Sequence, residues 1–331
     1  MLKVGLVGSG FMGSTHAAAW STLPVEVVAI RSIDDERARQ LAERYHTHTV
    51  DTLEELIEAV DVVDICTPTD LHGEMALQAA RAGKHVVCEK PLARTYQQAK
   101  EMIAVCEAAG VMLLVAHVVR FFPEYALAKA AVERGDIGKV AVMRLTRCAY
   151  HPRLEWFLDP TRSGGMILDL MIHDFDYARW VAGEVESVYV RSVRGLDPAA
   201  PEDYAVAILK HTSGALSNVE GAWAYPAGMF RTALEIAGDA GLIEHPAGSS
   251  VPLEIHMKAA PGSDAPAVGL PSSPLAEDPY TTQIRHFYDL LTGKAAAPRV
   301  TAQDGLAALR IALAGIESAR LGRPVRIEEV Q

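Results

Sequence analysis

The feature that most constrains this chain is the glycine pattern Gly8-Ser9-Gly10-Phe11-Met12-Gly13, which follows an apolar run at Val4–Val7 and opens a segment of helical period at Phe11–Ser21. A lone GxGxxG is a weak signal, but between a strand and a helix it fits a dinucleotide pyrophosphate site. Gly8 permits a tight turn, Gly10 lacks the side chain that would block the pyrophosphate, and Gly13 lets the helix lie close to the sheet. The N–H groups and positive end of that helix then face the phosphates. Phe11 and Met12 therefore join the three glycines as cofactor-binding candidates. A glycine-rich turn without a ligand is the alternative.

The pattern around the motif has the same character. Val25–Ile30, Val62–Cys66, His85–Cys88 and Val111–Ala116 are short apolar runs, and Asp34–Tyr45, Leu71–Ala82 and Thr95–Ala109 have helical period. A short strand near 47–50 and a short helix at 53–59 fill the remaining gap. Runs apolar throughout suit strands buried on both faces of a parallel sheet. Strand–helix alternation implies right-handed crossovers and a doubly wound α/β fold. Beyond residue 120 the pattern changes. One helix is expected at Pro123–Arg134. Strands are then expected at Val140–Ala149, Val185–Val193, Tyr204–Leu209, Ala215–Trp223 and Thr232–Ala237, without regular helices between them and with turns at Ser213-Gly214 and Gly238-Asp239. Short turns between consecutive strands argue for an antiparallel sheet. Residues 246–279 read as irregular connections around one or two short strands, and helices near Pro279–Leu291 and Ala302–Leu321 close the chain. At 331 residues, beyond the roughly 250–300 at which single cores stop growing, the chain is expected to divide into a Rossmann domain at 1–119 and a second α+β domain at 120–331. The second domain carries a large, mostly antiparallel open sheet.

Composition narrows the partners. A net charge of −11 without a basic stripe repels nucleic acid and anionic lipid. The longest strongly apolar stretch, Val111–Ala116, is too short to cross a bilayer. No signal peptide is read at the N-terminus. Cys66, Cys88, Cys106 and Cys148 match neither zinc nor CxxC spacing and read as reduced thiols of a cytoplasmic protein. Near the end of the second strand, where an Asp or Glu ordinarily takes the ribose hydroxyls, stands Ser32, flanked by Arg31 and followed by Arg37. A neutral hydroxyl with nearby arginine favours the 2′-phosphate of NADP over NAD. Asp34 or Asp35 serves the ribose instead if the strand end is shifted.

Several further segments resemble the glucose–fructose oxidoreductase/inositol dehydrogenase family. They are Thr67-Pro68 with His72, Glu89-Lys90-Pro91 after the fifth strand, Arg120-Phe121-Phe122-Pro123-Glu124-Tyr125, the run from Gly164-Gly165 through Asp169 to His173-Asp174, and the ending Gly322-Arg323-Pro324-Val325. The resemblance spans nearly the whole chain, except 246–279. It implies an NAD(P)-dependent oxidoreductase acting on a sugar, polyol or related hydroxy compound. It also implies a cis peptide before Pro91, and a second domain whose open sheet face forms a homodimer or homotetramer. In that family the Glu-Lys-Pro reaches nicotinamide and substrate, so Thr67, Pro68, His72, Glu89 and Lys90 are expected along the nicotinamide.

Lys90 is expected to hydrogen-bond the reacting oxygen and stabilise alkoxide charge. Asp169 and His173, four apart, share one face if one helix carries both. A carboxylate beside an imidazole favours the cation and fixes the ring, as a general base requires. An ordinary helix-face pair is the bland alternative. A metal is not expected, because no second His or Cys near Asp174 and Asp176 completes a ligand set. Arg120, His151, Arg153, Trp156 and Tyr225 are candidates for a polyhydroxylated substrate, each with a structural role as the alternative. A non-catalytic NAD(P)-binding sensor and an NAD-dependent glycosidase remain as competing functions. A sensor has no need of Lys90, Asp169 and His173 together.

Overall fold

The computed structural model describes residues 1–194, 203–245 and 277–331. The first compact unit is Met1–Phe122 together with Leu275–Leu306, and the second is Pro123–Pro274 together with Ala307–Gln331.

In the first unit the apolar runs become β1 (Leu2–Val7), β2 (Val25–Arg31), β3 (His48–Thr49), β4 (Val62–Ile65), β5 (His85–Glu89) and β6 (Leu113–Ala116). They form one sheet in the order β3-β2-β1-β4-β5-β6, and every pairing is parallel. This is the doubly wound arrangement, with its order reversing between β1 and β4. The crossovers carry α1 (Phe11–Ser21), α2 (Asp35–Arg44), α3 (Leu53–Ala59), α4 (His72–Arg81) and α5 (Tyr96–Ala108). Their starts are chemically marked. Thr52 and Glu55 close a capping box on α3, and the Thr95 hydroxyl accepts from Gln98 N–H on α5.

The unit boundaries differ from the expected division at 119/120. The first unit runs three residues further, through Phe122, and a late helix, Pro279–Leu291, returns to it. That helix is amphipathic. Its Ile284, Phe287, Tyr288 and Leu290 join Ala17 and Trp20 of α1 in one buried cluster, and Phe287 meets Phe121 edge-on at 6.5 Å. An apolar stripe must be covered somewhere, and sequence order does not say where.

The second unit contains α6 (Pro123–Glu133), β7 (Val140–Ala149), α7 (Glu155–Leu158), α8 (Pro160–Ser163), α9 (Gly165–Asp169), α10 (Ile172–Ala182), β8 (Val185–Arg194), β9 (Asp203–His211), β10 (Leu216–Trp223), β11 (Phe230–Gly238) and β12 (Leu242–His245). After α11, the helix at Pro279–Leu291, come α12 (Ala302–Leu321) and β13 (Val325–Arg326). The sheet order is β12-β11-β7-β10-β9-β8-β13. All neighbours are antiparallel except β7 and β10, which run parallel. Two expectations are corrected here. Helices do stand between the first two strands of this sheet, and the first strand inserts between β10 and β11 instead of pairing with its successor. Glycines set the close approaches. A Cβ on Gly221 of β10 would lie 2.4 Å from Met171, and one on Gly315 of α12 would lie 3.3 Å from Val190. The one or two short strands expected within 246–279 fall on a segment of which 246–276 lie outside the described residues. No described helix is long and apolar enough to cross a membrane.

Candidate cofactor site and acid–base residues

The glycine loop joins β1 to α1 at the carboxyl edge of the parallel sheet. Gly8 has φ +107°, and a Cβ there would lie 2.5 Å from the Cys66 carbonyl oxygen. A Cβ on Gly13 would lie 2.0 Å from the Gly8 carbonyl oxygen, while one on Gly10 meets nothing within 4 Å. Two glycines are therefore required by the protein's own packing, and the third faces open space where a phosphate can approach. Gly10 is the N-cap of α1 with no side-chain cap, and the first turn holds no acidic residue. Its N–H groups and positive end suit an anion. Phe11 is exposed, and Met12 is half-buried.

At the ribose end, Ser32 follows β2 directly. The Ser9 hydroxyl donates to Ser32 Oγ at 2.8 Å. Asp34, the alternative ribose ligand, caps α2 by accepting from Arg37 N–H, and its carboxylate lies 3.3 Å from Arg37 Nε. Arg37 is exposed.

Thr67 and Pro68 lie just past the end of β4, half-buried. His72, expected along the nicotinamide, opens α4 just after them. It is buried, and its ring nitrogens lie 2.9 Å from the carbonyl oxygens of Pro91 and Thr67. It ties two loops of the sheet edge together. Burial pushes its pKa below the ordinary imidazole value, and the two carbonyls pull the other way. Glu89 ends β5, buried, with Oε2 accepting from Lys90 N–H at 3.1 Å. Lys90 follows at the strand's carboxyl end, half-buried.

Sequence reading missed a buried polar cluster beneath this edge. His16 of α1 has Nδ1 2.9 Å from Asp64 of β4 and Nε2 3.2 Å from Glu89. Trp20 Nε1 donates to Asp64 at 2.7 Å, and Cys66 Sγ lies 3.3 Å from His16 Nδ1. The available signal was Asp64 itself: a carboxylate in a strand buried on both faces requires a partner. His16, Asp64 and Cys66 offer ligand atoms within 4.8 Å of one another, a spacing that suits a metal. Only Nδ1 is hydrogen-bonded, to Asp64, while Nε2 lies within ion-pair distance of Glu89 without a hydrogen bond, and two carboxylates so placed favour the charged ring. Burial opposes that charge most strongly, but Asp64 and Cys66 together raise the His16 pKa well above its ordinary value. Burial, then Asp64, pushes the Cys66 thiol up to about 12, so it is no thiolate nucleophile.

In the second unit, Asp169 is the last residue of α9 and His173 lies in the first turn of α10. The single helix expected for the pair is corrected. The chain breaks at Leu170-Met171, where the N–H groups of both residues donate to the Met166 carbonyl. Asp169 is 9% exposed and His173 half-buried. The next residue, Asp174, takes two hydrogen bonds from Arg147 of β7, at 2.7 and 3.0 Å.

Residues 2–117 match the model of an oxidoreductase family with an NAD-binding Rossmann fold, and residues 125–244 match that of the GFO/IDH/MocA C-terminal domain. The chain belongs to the Gfo/Idh/MocA oxidoreductase family. It is 31% identical to the uncharacterized oxidoreductase YrbE of Bacillus subtilis, over 100% of this chain and 98% of that protein. It is 31% identical to the 1,5-anhydro-D-fructose reductase of Ensifer adhaerens, over 99% of each. The solved structure of levoglucosan dehydrogenase in complex with NADH and levoglucosan has a TM-score of 0.83 and 26% identity, over 98% of this chain and 99% of that one.

Within this Gfo/Idh/MocA protein the Lys90–Pro91 peptide is cis, as the resemblance implies. The substrate candidates divide. Arg120 is 1% exposed and bonds Asp304 and the Arg299 carbonyl, the partners of a structural role. His151 is half-buried, its Nδ1 2.7 Å from the Pro152 carbonyl and its ring 5.2 Å from Trp223. Arg153 is exposed and lies over Tyr150. Trp156 stacks on Phe157 at 3.8 Å. Tyr225 is half-buried, and burial first, then Cys148, pushes its hydroxyl up to about 12.

Proposed function

We propose that this protein is an NAD(P)-dependent dehydrogenase or reductase moving a hydride between a nicotinamide and a hydroxyl-bearing carbon of a sugar, polyol or related hydroxy compound. The carrying observation is the sheet edge. It presents an uncapped helix N-terminus behind three glycines and, after β5, a lysine whose backbone N–H is held by Glu89. The 1,5-anhydro-D-fructose reductase and the levoglucosan complex supply the sugar class.

The glycine loop and α1 hold the pyrophosphate, with Phe11 and Met12 in the turn. Thr67, Pro68 and Glu89 stand toward the nicotinamide. The bound nicotinamide supplies the hydride acceptor or donor. In the oxidative direction Lys90 Nζ donates to the reacting oxygen and stabilises developing negative charge. His173 takes the hydroxyl proton on a ring nitrogen, and Asp169 favours the imidazolium that results. His151, Arg153, Trp156 and Tyr225 are the remaining candidates for substrate hydroxyls. The presence of Lys90, Asp169 and His173 favours an enzyme over a non-catalytic sensor.

NADP is the preferred cofactor in this reading. Ser32 brings no charge against a 2′-phosphate, Arg31 and Arg37 stand nearby, and Asp34 is engaged as a helix cap. The working form is a cytoplasmic homodimer or homotetramer without nucleic-acid or membrane partners.

The test is nicotinamide absorbance with NADP and NAD separately, against 1,5-anhydro-D-fructose, levoglucosan, and a panel of aldoses, ketoses and polyols. Stoichiometric release of oxidised or reduced cofactor is expected with at least one sugar. Tight dinucleotide binding without turnover on the panel marks a sensor, and sugar cleavage without cofactor release marks a glycosidase.

A further inference from the structure

One buried imidazole stands between two buried carboxylates beneath Lys90. His16 lies one turn into α1, on the helix that opens with the glycine loop, and it is fully buried. Its Nδ1 is 3.0 and 2.9 Å from the two oxygens of Asp64, and its Nε2 is 3.2 Å from Glu89 Oε1. Trp20 Nε1 holds Asp64 in place at 2.7 Å. The other oxygen of Glu89, Oε2, accepts from the backbone N–H of Lys90 at 3.1 Å. His16 thus touches both carboxylates. Buried carboxylates are costly unless paired, and removing the partner leaves a charge that relaxes toward water. The Glu89 side chain is 7% exposed and that of Asp64 0%.

We infer that Asp64, His16 and Glu89 form a positioning chain for Lys90, in which the His16 ring, held by Asp64, stands against Glu89 and fixes it, and Glu89 fixes the backbone from which the lysine projects. His16 and Asp64 do not touch the reacting atoms. They act through Glu89 on one N–H. The chain also ties the turn of Lys90 to the helix that receives the pyrophosphate. This inference rests on the proposed role of Lys90.

The experiment is a double-mutant cycle. His16→Gln and Lys90→Ala are made singly and together, and turnover is followed with the sugar of the panel that the wild type turns over fastest. Dinucleotide affinity is read separately from the fluorescence of bound NADPH. His16→Gln is expected to lower kcat by about 10–100-fold, the range for a supporting partner of a site residue, with NADPH affinity within a few-fold of wild type. The double mutant is expected to be no slower than Lys90→Ala, because a positioning residue has no effect once its target is gone. Additive losses, or wild-type kcat in His16→Gln, overturn the inference. If His16→Gln does not fold, Asp64→Asn, which keeps the size of the side chain but loses the charge that faces His16, replaces it in the cycle with the same expected and overturning results. Lys90→Ala with wild-type kcat overturns the reading of Lys90 and this inference with it. An impaired Lys90→Ala with an additive cycle overturns the inference alone.

Discussion

At Ser32 the choice of cofactor is a matter of charge. The side chain is neutral, it accepts a hydrogen bond from Ser9, and the nearest carboxylate is occupied as a helix cap. Ser32→Asp places a negative charge where a 2′-phosphate would lie. NADP affinity is expected to fall much more than NAD affinity, measured by titrating each reduced cofactor against its fluorescence. Tighter NAD than NADP binding by the wild type contradicts this reading. At His173 and Lys90 the question is proton transfer and alkoxide charge. His173→Ala and Lys90→Ala are each expected to lower kcat by about 10²–10⁴-fold, or roughly 3–5 kcal/mol of barrier. Dinucleotide affinity should change little in His173→Ala. Near-wild-type turnover in both variants removes the mechanism.

Among the elements, the start of α10 is held by a charge pair. Arg147 of β7 and Asp174 of α10 meet through two hydrogen bonds with side chains 4% and 0% exposed, and Tyr125 of α6 lies 3.4 Å from the same guanidinium. Breaking one member of such a pair strands the other charge and costs about 3–5 kcal/mol. Asp174→Asn is expected to lower unfolding free energy by roughly that amount in urea denaturation, with the slope unchanged. The double replacement Arg147→Met/Asp174→Leu should recover much of the loss, since a packed apolar pair has no charge to desolvate. A single substitution that leaves the midpoint in place shows that the pair does not anchor α10. Anchoring matters because His173 is the residue before Asp174.

The whole molecule presents an outer sheet face with Val193, Tyr204, Val206, Ile208 and Leu216 exposed. On β9 exposed and buried residues alternate, so one side of the strand packs inward and the other stays open. Large exposed apolar patches usually mark association. Light scattering at micromolar concentration is expected to give a homodimer or homotetramer, and Val206→Lys/Ile208→Lys is expected to give monomers. A wild-type monomer would contradict the interface.

Stability against pH is also a property of the whole fold. Burial depresses the pKa of His72 and of His211 below 6.5. Groups held neutral in this way contribute stability above the unfolded value, and lose it as pH falls from about 6.5 through the folded value. His16 runs in the opposite sense: with its pKa raised, its contribution is complete below 6.5 and is lost as pH rises through the folded value. The melting temperature is expected to fall on acidification past about pH 6.5, and to fall less steeply in His211→Gln. An equal slope in the two proteins would remove His211 from this account.

The sequence by itself determined the parts that depend on local spacing. Strand–glycine–helix order, the alternation of apolar runs with helical segments, and Glu-Lys-Pro after a strand all follow from neighbours in the chain. The same holds for the parallel first sheet, because short buried strands joined by helices have few other ways to pair. Tertiary structure decided what depends on distant partners. α11 joined the first unit because its apolar stripe fits α1 and Phe121. β7 entered the middle of its sheet beside β10, pairing Val142 with Leu216, about which a period-two pattern is silent. The helix expected to carry Asp169 and His173 broke at Leu170-Met171, where two N–H groups share one carbonyl. His16, Asp64 and Glu89, spread over three elements, met as a buried chain of charge. Their residue types were visible from the start, but no spacing rule links them, because a parallel sheet brings distant residues together across its strands.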